Sequence, residues 1–361
     1  MQITETPRTR TEIRIDKAPV SRLRGVNLSN VQFGTVYSDH MLCMEYQKGS
    51  WGKPAIKPYG PLSLPPNISA LQYGVSVFEG MKAHQSPQGD ALLFRPADNV
   101  RRLNRSAARL AMPEIPNSIF LDGLRALIDL DRAWIPRAGE GALYIRPCFF
   151  SIDESIRVKP AERYQFVIFT CPFGAYYSTP IDVLVTEKYV RAFPGGTGDV
   201  KPAGNYAPTF LADIEARDAG CGSVLWLDAQ NRRYVEECGV MNVFFVIDGK
   251  VVTPKLTGTI IPGITRDSVI TLIREMGVDV AERLISLEEL IAAHHDRKLT
   301  ECFGTGTAAT LSHIKRIRYR DQDLVLPEVS ERKIGPAVRE RLVAIVTGAA
   351  PDPYGWVELV A

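Results

Sequence analysis

A glycine-rich loop with a single lysine is the strongest local constraint in this sequence. The loop runs from Gly195 to Tyr206 and places Lys201 between a strand-like segment and a helix-like segment. Glycine permits positive φ angles and close approach to a ligand, while Pro202 biases Lys201 toward an extended conformation. An arbitrary lysine is far more often a solvated surface residue. The flanking residues nevertheless predict that this lysine is held in place for chemistry.

Composition narrows the class of protein. The 361 residues are 45% hydrophobic and 23% charged, which is the balance of a folded chain with about two domains. The 43 basic and 41 acidic side chains give a net charge of +2, so no broad basic field serves nucleic acid or an anionic membrane. Any anion-binding site must therefore be local.

The cysteines and the apolar runs predict a cytoplasmic protein. No cysteine pair has CxxC or metal-ligand spacing, which favours reduced thiols and predicts no metal site. No apolar run approaches the ~18 residues of a membrane span, and charges interrupt the N-terminus where a signal peptide needs an apolar stretch. The cysteines are Cys43, Cys148, Cys171, Cys221, Cys238 and Cys302.

Strand-like and helix-like segments follow one another without strict alternation, which predicts an α+β (mixed α/β) fold. Turn residues cluster after Cys171 and indicate a connection between domains. We expect a loosely held tail over residues 1–25, a small domain over 26–172, an interdomain loop over 173–182 and a large domain over 183–361.

One amphipathic helix directs an arginine inward. Asp98 is expected to cap this helix, and Val100 and Leu103 recur on its apolar face. Arg102 lies next to that face, whereas the other arginines of the helix fall on its solvated side. Because a surface arginine is the commoner case, Arg102 becomes a candidate anion ligand only in combination with other elements.

Two loops can present backbone N–H groups to an anion. Pro262–Asp267 leads directly into a helix, whose N-terminus carries free N–H groups and the positive end of the dipole. Gly304–Ala308 follows a strand-like segment and offers amides and hydroxyls. Either loop alone is more often an ordinary capped helix or turn, but together with Lys201 they predict a phosphorylated cofactor.

Glu236 and Glu237 stand side by side before an apolar strand. Side chains alternate in an extended segment, so only one of the two can point inward. A buried carboxylate needs a compensating charge or donor, which a protonated pyridine nitrogen would supply. Two surface acids remain the simpler interpretation of the local pattern.

Four of these segments together resemble the branched-chain amino acid aminotransferases, which are fold type IV enzymes dependent on pyridoxal 5′-phosphate. They are Lys201–Tyr206, Glu237–Asn242, Pro262–Arg266 and Gly304–Ala308, in the family's order and spacing. The resemblance extends from about Phe33 to about Arg316. It implies two domains with the cofactor between them, and a homodimer whose partner subunit helps to close the pocket.

The resemblance also implies a role for individual residues. Lys201 would be the catalytic residue and would hold the cofactor as a Schiff base, Tyr206 would contact the phenolic oxygen, and Glu237 would pair with the pyridine nitrogen. The phosphate would be held by Arg102, Ile264, Thr265 and Thr307. The substrate pocket would be formed by Phe33, Tyr73, Phe78, Tyr144, Arg146 and Ala308, with Tyr176 at its edge.

The implied reaction is reversible transfer of the amino group of L-leucine, L-isoleucine or L-valine to 2-oxoglutarate, with ping-pong kinetics. A D-amino acid aminotransferase or an aminodeoxychorismate lyase of the same fold would use the same lysine and glutamate. A nonenzymatic protein that binds a phosphorylated ligand is an alternative from another class. No partner other than small-molecule substrates and a second copy of the chain is expected.

Overall fold

The computed structural model describes residues 11–174 and 179–360 of the chain. Within these residues there are seven α-helices and nineteen β-strands, and the strands form two sheets. The irregular succession of strands and helices confirms the mixed α/β fold expected from the sequence. The first ten residues and Tyr176, which was expected at the edge of the pocket, lie outside the described residues.

The first half of the chain builds the first sheet, in which nearly all neighbouring strands are antiparallel. The longest pairing joins the strands Ala142–Ser151 and Tyr164–Phe173 over their whole length. In chain order the strands are β1 (Arg14–Ile15), β2 (His40–Gln47), β3 (Ser50–Trp51), β4 (Ala55–Pro58), β5 (Ser76–Phe78), β6 (Met81–Gln85), β7 (Ala91–Phe94), β8 (Ala142–Ser151) and β9 (Tyr164–Phe173).

The second half builds the second sheet. Its strands are β10 (Ile181–Val185), β11 (Ser223–Leu227), β12 (Val235–Cys238), β13 (Met241–Ile247), β14 (Lys250–Pro254), β15 (Val280–Arg283), β16 (Leu299–Gly306), β17 (Thr310–Tyr319) and β18 (Gln322–Val325). The order β12-β11-β10-β17-β16-β13, with a further β12–β13 pairing, closes six of them into a ring. Closure of this ring brings the ends of β12, β13 and β16 close together.

The helices cover the outer faces of the two sheets. They are α1 (Ser69–Tyr73), α2 (Pro96–Arg109), α3 (Asn117–Leu130), α4 (Phe210–Asp218), α5 (Ile264–Glu275), α6 (Leu287–His295) and α7 (Ile334–Val346). A last strand, β19 (Val357–Val360), returns to the first sheet and pairs with β7. The C-terminus thus ties the two halves of the chain together. The domain boundaries stated above remain predictions.

Strand β13 has a nearly continuous apolar sequence, and its burial explains why. Alternate side chains point to opposite faces of a strand, and both faces of β13 are covered. Val243 and Phe245 join the apolar core on one side, whereas Phe244 and Val246 pack with α5 and α7 on the other. The stacked rings of Phe244 and Phe303 fix β13 against β16, the strand that leads to the Gly304–Ala308 loop.

The start of α2 differs from the expectation. Asp98 was expected to cap the helix, but α2 begins at Pro96, with Arg95 at the cap position. Proline is favoured in the first turn of a helix because it has no N–H to leave unpaired. Asp98 therefore lies inside the first turn, where its carboxylate binds Arg95 Nε at 2.6 Å.

The described part of the N-terminal segment is docked rather than loosely held. Arg14 and Ile15 pair with β4, and the N–H of Ala18 donates to His40 Nε2 at 2.8 Å. The hydroxyl of Ser21 donates to Asp39 at 2.5 Å. These contacts join residues far apart in sequence, so the composition of the segment gave no signal of them.

Three further features concern the thiols, the helices and possible metal ligands. All six cysteines are free. Across residues 11–174 and 179–360, no helix is long and apolar enough to cross a membrane. The same residues contain no group of three or more His, Cys, Asp or Glu side chains that could hold a metal ion.

Candidate active site

A cavity of about 750 Å³ lies where the two halves of the chain meet. Strands β5 and β8 of the first sheet form one side, and β12, β16 and the start of α5 form the other. Among the described residues, every side chain that the sequence analysis assigned to the site lines this cavity, except Tyr73. The residues that were selected from separate motifs therefore meet in one place.

The lysine loop is fixed by hydrogen bonds of the Lys201 backbone and of the Asn205 side chain. The N–H of Lys201 donates to Ser106 Oγ on α2 at 3.0 Å, and its carbonyl accepts from the N–H of Phe78 at 3.1 Å. The Asn205 side chain donates to the carbonyls of Thr197 and Val200 and so closes the loop on itself. The backbone of Lys201, in the second half of the chain, is thereby bonded to α2 and β5 of the first half.

The amine of Lys201 points into the cavity. Its Nζ donates to Tyr206 Oη at 2.7 Å and lies 4.4 Å from the centre of the Phe78 ring. Phe78 in turn packs against Tyr206, with ring centres 4.9 Å apart. Two aromatic rings and one hydroxyl therefore surround an amine that no carboxylate pairs with in the described part of the chain.

Glu237 presents a buried carboxylate to the cavity, whereas Glu236 turns to the other face of β12. Glu237 Oε1 accepts from the amide of Asn242 at 3.0 Å and from the N–H of Ile261 at 3.1 Å. Burial raises the pKa of Glu237 to about 7, although Arg191 and the N–H of Ile261 oppose the rise. Both acids are buried, so the simpler interpretation of two surface acids is wrong.

Arg191 is the functional-site residue that the sequence analysis missed. Its Nε lies 2.8 Å from Glu237 Oε2, and its side chain is buried. One of its terminal nitrogens, Nη2, donates to the carbonyls of both Gly198 and Thr259. One guanidinium therefore links the carboxylate, the lysine loop and the loop before α5. No local pattern around Arg191 could have revealed these contacts.

The first turn of α5 opens toward the cavity. Ile264 and Thr265 stand at its start, where helical N–H groups have no partner within the helix. Gly263 lets the chain pass close to β13, because a Cβ added there would lie 2.1 Å from Asn242 Oδ1. The N-terminal end of α5, which favours an anion, therefore lies against Asn242, whose amide donates to Glu237.

Arg102 reaches inward from α2 as the sequence predicted, but it is not free. Its Nε and a terminal nitrogen donate to the two oxygens of Glu79 at 2.7 and 2.8 Å. A third nitrogen donates to the carbonyl of Pro262 at 3.3 Å. Glu79 is fully buried. The pair orients the guanidinium beside the start of α5, and its remaining N–H groups are available to an anion.

Aromatic side chains form the wall of the cavity opposite Glu237. Phe33 meets Tyr144 edge to face, with ring centres 5.0 Å apart. Arg146 lies over the Phe78 ring at 4.5 Å and donates to Tyr144 Oη at 3.0 Å. Gly80 makes room for this wall, since a Cβ there would lie 2.1 Å from Tyr144 Oη. An apolar pocket with one stacked cation results.

Tyr73 lies on the surface, away from the cavity of its own chain. Its ring is 46% exposed, and its hydroxyl donates to the carbonyl of Ile156. Tyr73 stands at the end of α1, and this helix is joined to β8 through the bonded hydroxyls of Ser69 and Ser151. A place for Tyr73 in the substrate pocket therefore remains a prediction that the single chain does not fulfil by itself.

Comparison with known proteins assigns the family. The model of the family described as "Amino-transferase class IV" matches residues 76–317, which span the cavity and most of both sheets. The chain therefore belongs to the class IV aminotransferases.

Several similar proteins of this family are named as branched-chain amino acid aminotransferases. Branched-chain-amino-acid aminotransferase 2 of Bacillus subtilis is 42% identical over 338 residues, which is 92% of this chain and 93% of that protein. The crystal structure of the PLP form of the branched-chain amino acid aminotransferase from Thermobaculum terrenum has a TM-score of 0.74. It is 25% identical and covers 90% of this chain and 98% of that one.

A third relative has been crystallised with a cofactor adduct. It is a branched-chain amino acid aminotransferase of a T.th. strain in complex with N-(5′-phosphopyridoxyl)-L-glutamate. It is 26% identical to this chain, with a TM-score of 0.72, and the match covers 88% of this chain and 98% of that one.

The raised pKa of Glu237 predicts a pH dependence of stability in the cofactor-free protein. The folded protein binds this proton more tightly than the unfolded chain, whose glutamate has its usual pKa of 4.5. The contribution of Glu237 is thus complete below about pH 4.5 and is lost as pH rises toward 7. Between pH 5 and 8, the free energy of unfolding of the wild type should fall by about 2 to 3 kcal/mol relative to Glu237→Gln.

Urea unfolding of both proteins at several pH values checks this expectation. Glu340→Gln, at an exposed position, is the control and should follow the wild type. Parallel curves for the wild type and Glu237→Gln would contradict the assignment.

Proposed function

We propose that this chain is a branched-chain amino acid aminotransferase. It transfers the amino group of L-leucine, L-isoleucine or L-valine reversibly to 2-oxoglutarate and forms the branched-chain 2-oxo acid and L-glutamate. The observation that carries the proposal is the apolar, aromatic-walled pocket in which Arg146 stacks on Phe78, located beside Lys201 in a chain of this family.

Pyridoxal 5′-phosphate is the cofactor, and the cavity fits its chemistry. The cofactor supplies an electron sink that stabilises the negative charge left when the substrate loses its α-proton. Lys201 offers an amine for its aldehyde, and Tyr206 a hydroxyl for its phenolic oxygen. The buried Glu237 carboxylate suits a protonated ring nitrogen, since that positive charge would favour the ionised acid.

The phosphate fits the part of the cavity at the start of α5. Free N–H groups of Ile264 and Thr265 at the start of α5 favour an anion there. Arg102 and Thr307 line the same end. We assign these four residues to the phosphate, because they combine a helix N-terminus, a guanidinium and a hydroxyl, which are typical phosphate ligands.

Lys201 is the catalytic acid and base in this proposal. With the cofactor bound, Lys201 Nζ would be the group that takes up the substrate's α-proton and later releases it again. The hydrogen bond to Tyr206 and the contact with Phe78 keep Nζ on the cavity side. The fixed backbone of Lys201 limits how far the amine can move.

The pocket serves two different substrates. Phe33, Phe78 and Tyr144 offer apolar surface to an aliphatic side chain, and Ala308 packs with the same apolar cluster as Phe33 and Tyr144. The Arg146 guanidinium, together with the Tyr144 hydroxyl, offers donors to the side-chain carboxylate of glutamate or 2-oxoglutarate. The same wall can therefore accept both half-reactions without a change of fold.

Other activities of the same fold would share the lysine, the glutamate and the phosphate site, so these residues do not distinguish among them. The apolar wall supports branched aliphatic side chains, and the branched-chain aminotransferases among the similar proteins support these substrates over D-amino acids and over the substrate of a lyase. A donor screen in which leucine, isoleucine, valine, D-alanine and aromatic amino acids compete distinguishes these activities directly.

The enzyme acts as a homodimer in the cytoplasm in our proposal. Tyr73, Leu71, Ile156 and Val158 form an exposed apolar patch on the first half of the chain, and such patches mark interaction surfaces. We place this patch against a second copy, where Tyr73 would complete the copy's pocket. The six free thiols suit a reducing compartment.

Replacement of the lysine tests the chemistry. Lys201→Ala should lose the visible absorption band of the bound cofactor and reduce ping-pong turnover of leucine with 2-oxoglutarate by about 10²-fold to 10⁴-fold or more. Borohydride reduction of the wild type should label the peptide that contains Lys201. Lys188→Ala, on the surface, is the control. A label at another lysine, or none, would refute the mechanism and leave a nonenzymatic ligand-binding protein as the better explanation.

Replacement of Arg146 tests the division of the pocket. Arg146→Leu should lower kcat/KM for glutamate and 2-oxoglutarate by about 10- to 100-fold, since a hydrogen bond to a charged group is lost, and should change leucine turnover only a few-fold. Single-turnover spectrophotometry of each half-reaction gives the two values. Arg101→Leu, at an exposed position of α2, is the control. Equal losses of kcat/KM for glutamate and for leucine would show that Arg146 does not bind the side-chain carboxylate of glutamate.

Two charges in the exposed patch test the dimer. The double variant Ile156→Glu, Val158→Glu should sediment as a monomer and lose activity, because two buried carboxylates would oppose association. The control is Val20→Glu, a similarly exposed apolar residue elsewhere. If the double variant sediments like the wild type, the patch is not the interface.

A further inference from the structure

The hairpin that carries Thr307 ends in an unusual backbone conformation. Gly306 pairs with Thr310 across β16 and β17, so residues 307–309 form a three-residue loop. The residue after such a loop commonly adopts the left-handed conformation, which favours glycine. Here that residue is Thr310, with φ of 59°. A β-branched residue in this region is rare and energetically unfavourable.

The side chain of Thr310 accounts for its presence at this position. Lys82 Nζ, on β6 of the first sheet, donates to Thr310 Oγ1 at 2.9 Å. Glycine would relieve the backbone strain but would remove this acceptor. The hydroxyl therefore ties the loop of the second sheet to a lysine of the first sheet.

Lys82 is a buried cation without a counterion in the described part of the chain. Besides Thr310, its nearest recorded partner is the Phe173 ring, 5.3 Å from Nζ. A buried ammonium with no anion is costly, and burial, with Arg339 nearby, lowers the pKa of Lys82 to about 7. No step assigned above to the side chains of the active site uses this amine.

The position of Lys82 points to the phosphate. It lines a small space of about 30 Å³, large enough for a water molecule. Ile264, Thr265 and Thr307 line this space too, and the same three residues line the main cavity. Lys82 thus lies directly behind the residues assigned to the phosphate.

We propose that Lys82 is a positioning residue for the cofactor phosphate. Through Thr310 it holds the loop that displays Thr307 and Ala308, and it adds a positive charge behind that loop. The inference rests on the phosphate site proposed above. It explains both the strained threonine and the unpaired lysine, because a bound phosphate dianion would compensate the buried charge.

The test compares two ligands of the cofactor-free enzyme, pyridoxal 5′-phosphate and pyridoxal, which lacks the phosphate. Lys82→Met should raise the Kd for the phosphorylated ligand about 10- to 100-fold, change the Kd for pyridoxal less than about twofold, and shift the ³¹P resonance of the bound phosphate. Lys82→Arg, which keeps the charge and a donor, should restore most of the affinity. Lys250→Met, on the surface, is the matched control.

Substitutions of Thr310 distinguish the effect of its hydroxyl from the effect of its left-handed backbone conformation. Thr310→Ser keeps the acceptor and should behave like the wild type. Thr310→Gly removes the strain together with the hydroxyl, and should weaken binding of the phosphorylated ligand while the thermal midpoint stays the same or rises. If Thr310→Gly binds as tightly as the wild type, or if Lys82→Met affects both ligands equally, the proposal is overturned.

A further pair of variants distinguishes this inference from the phosphate site itself. Thr307→Ala and Arg102→Leu should also weaken the phosphorylated ligand selectively. If neither does, the assignment of the phosphate site fails. If both do and Lys82→Met does not, only the role of Lys82 fails.

Discussion

The burial of a carboxylate at Glu237 is the constraint on which the rest of the site depends. A charge in this position is unfavourable unless donors and a cation compensate it. The chain supplies Asn242, the N–H of Ile261 and Arg191. Since Arg191 also binds the carbonyls of Gly198 and Thr259, compensation of the charge simultaneously sets the distance between the lysine loop and the loop that leads to α5.

The close contact at Gly198 shows how tightly these segments are coupled. A Cβ at Gly198 would lie 2.5 Å from the carbonyl oxygen of Thr259, so only glycine allows the two backbones to approach. This contact stands three residues before Lys201. The amine, the carboxylate and the helix N-terminus are therefore arranged by one packed layer. Compensation by Arg191 is incomplete, as the raised pKa of Glu237 shows, and this leaves room for a cationic ring nitrogen.

Much of the site could be predicted from the sequence because its chemistry is encoded locally. Lys201 in its glycine-rich loop, the alternation of Glu236 and Glu237, and the start of α5 each depend on a few consecutive residues. Contacts between distant segments leave no such pattern, which is why Arg191 was missed and why the docking of residues 11–25 was not foreseen. The position of Asp98 was misjudged for a different reason, since the N1 preference of Pro96 outweighed that of an acidic cap.

The charges around the phosphate site complete the physical picture. Arg102 is the obvious cation there, but Glu79 neutralises it with two hydrogen bonds, so the pair contributes donors and orientation more than net charge. A dianion in the cavity must then find its positive potential elsewhere. The dipole of α5 supplies part of it, and in our proposal Lys82, the one lysine buried among the described residues, supplies the rest. Because Glu79 neutralises Arg102, the charge of Lys82 must stay without a counterion of its own if it is to balance a bound dianion.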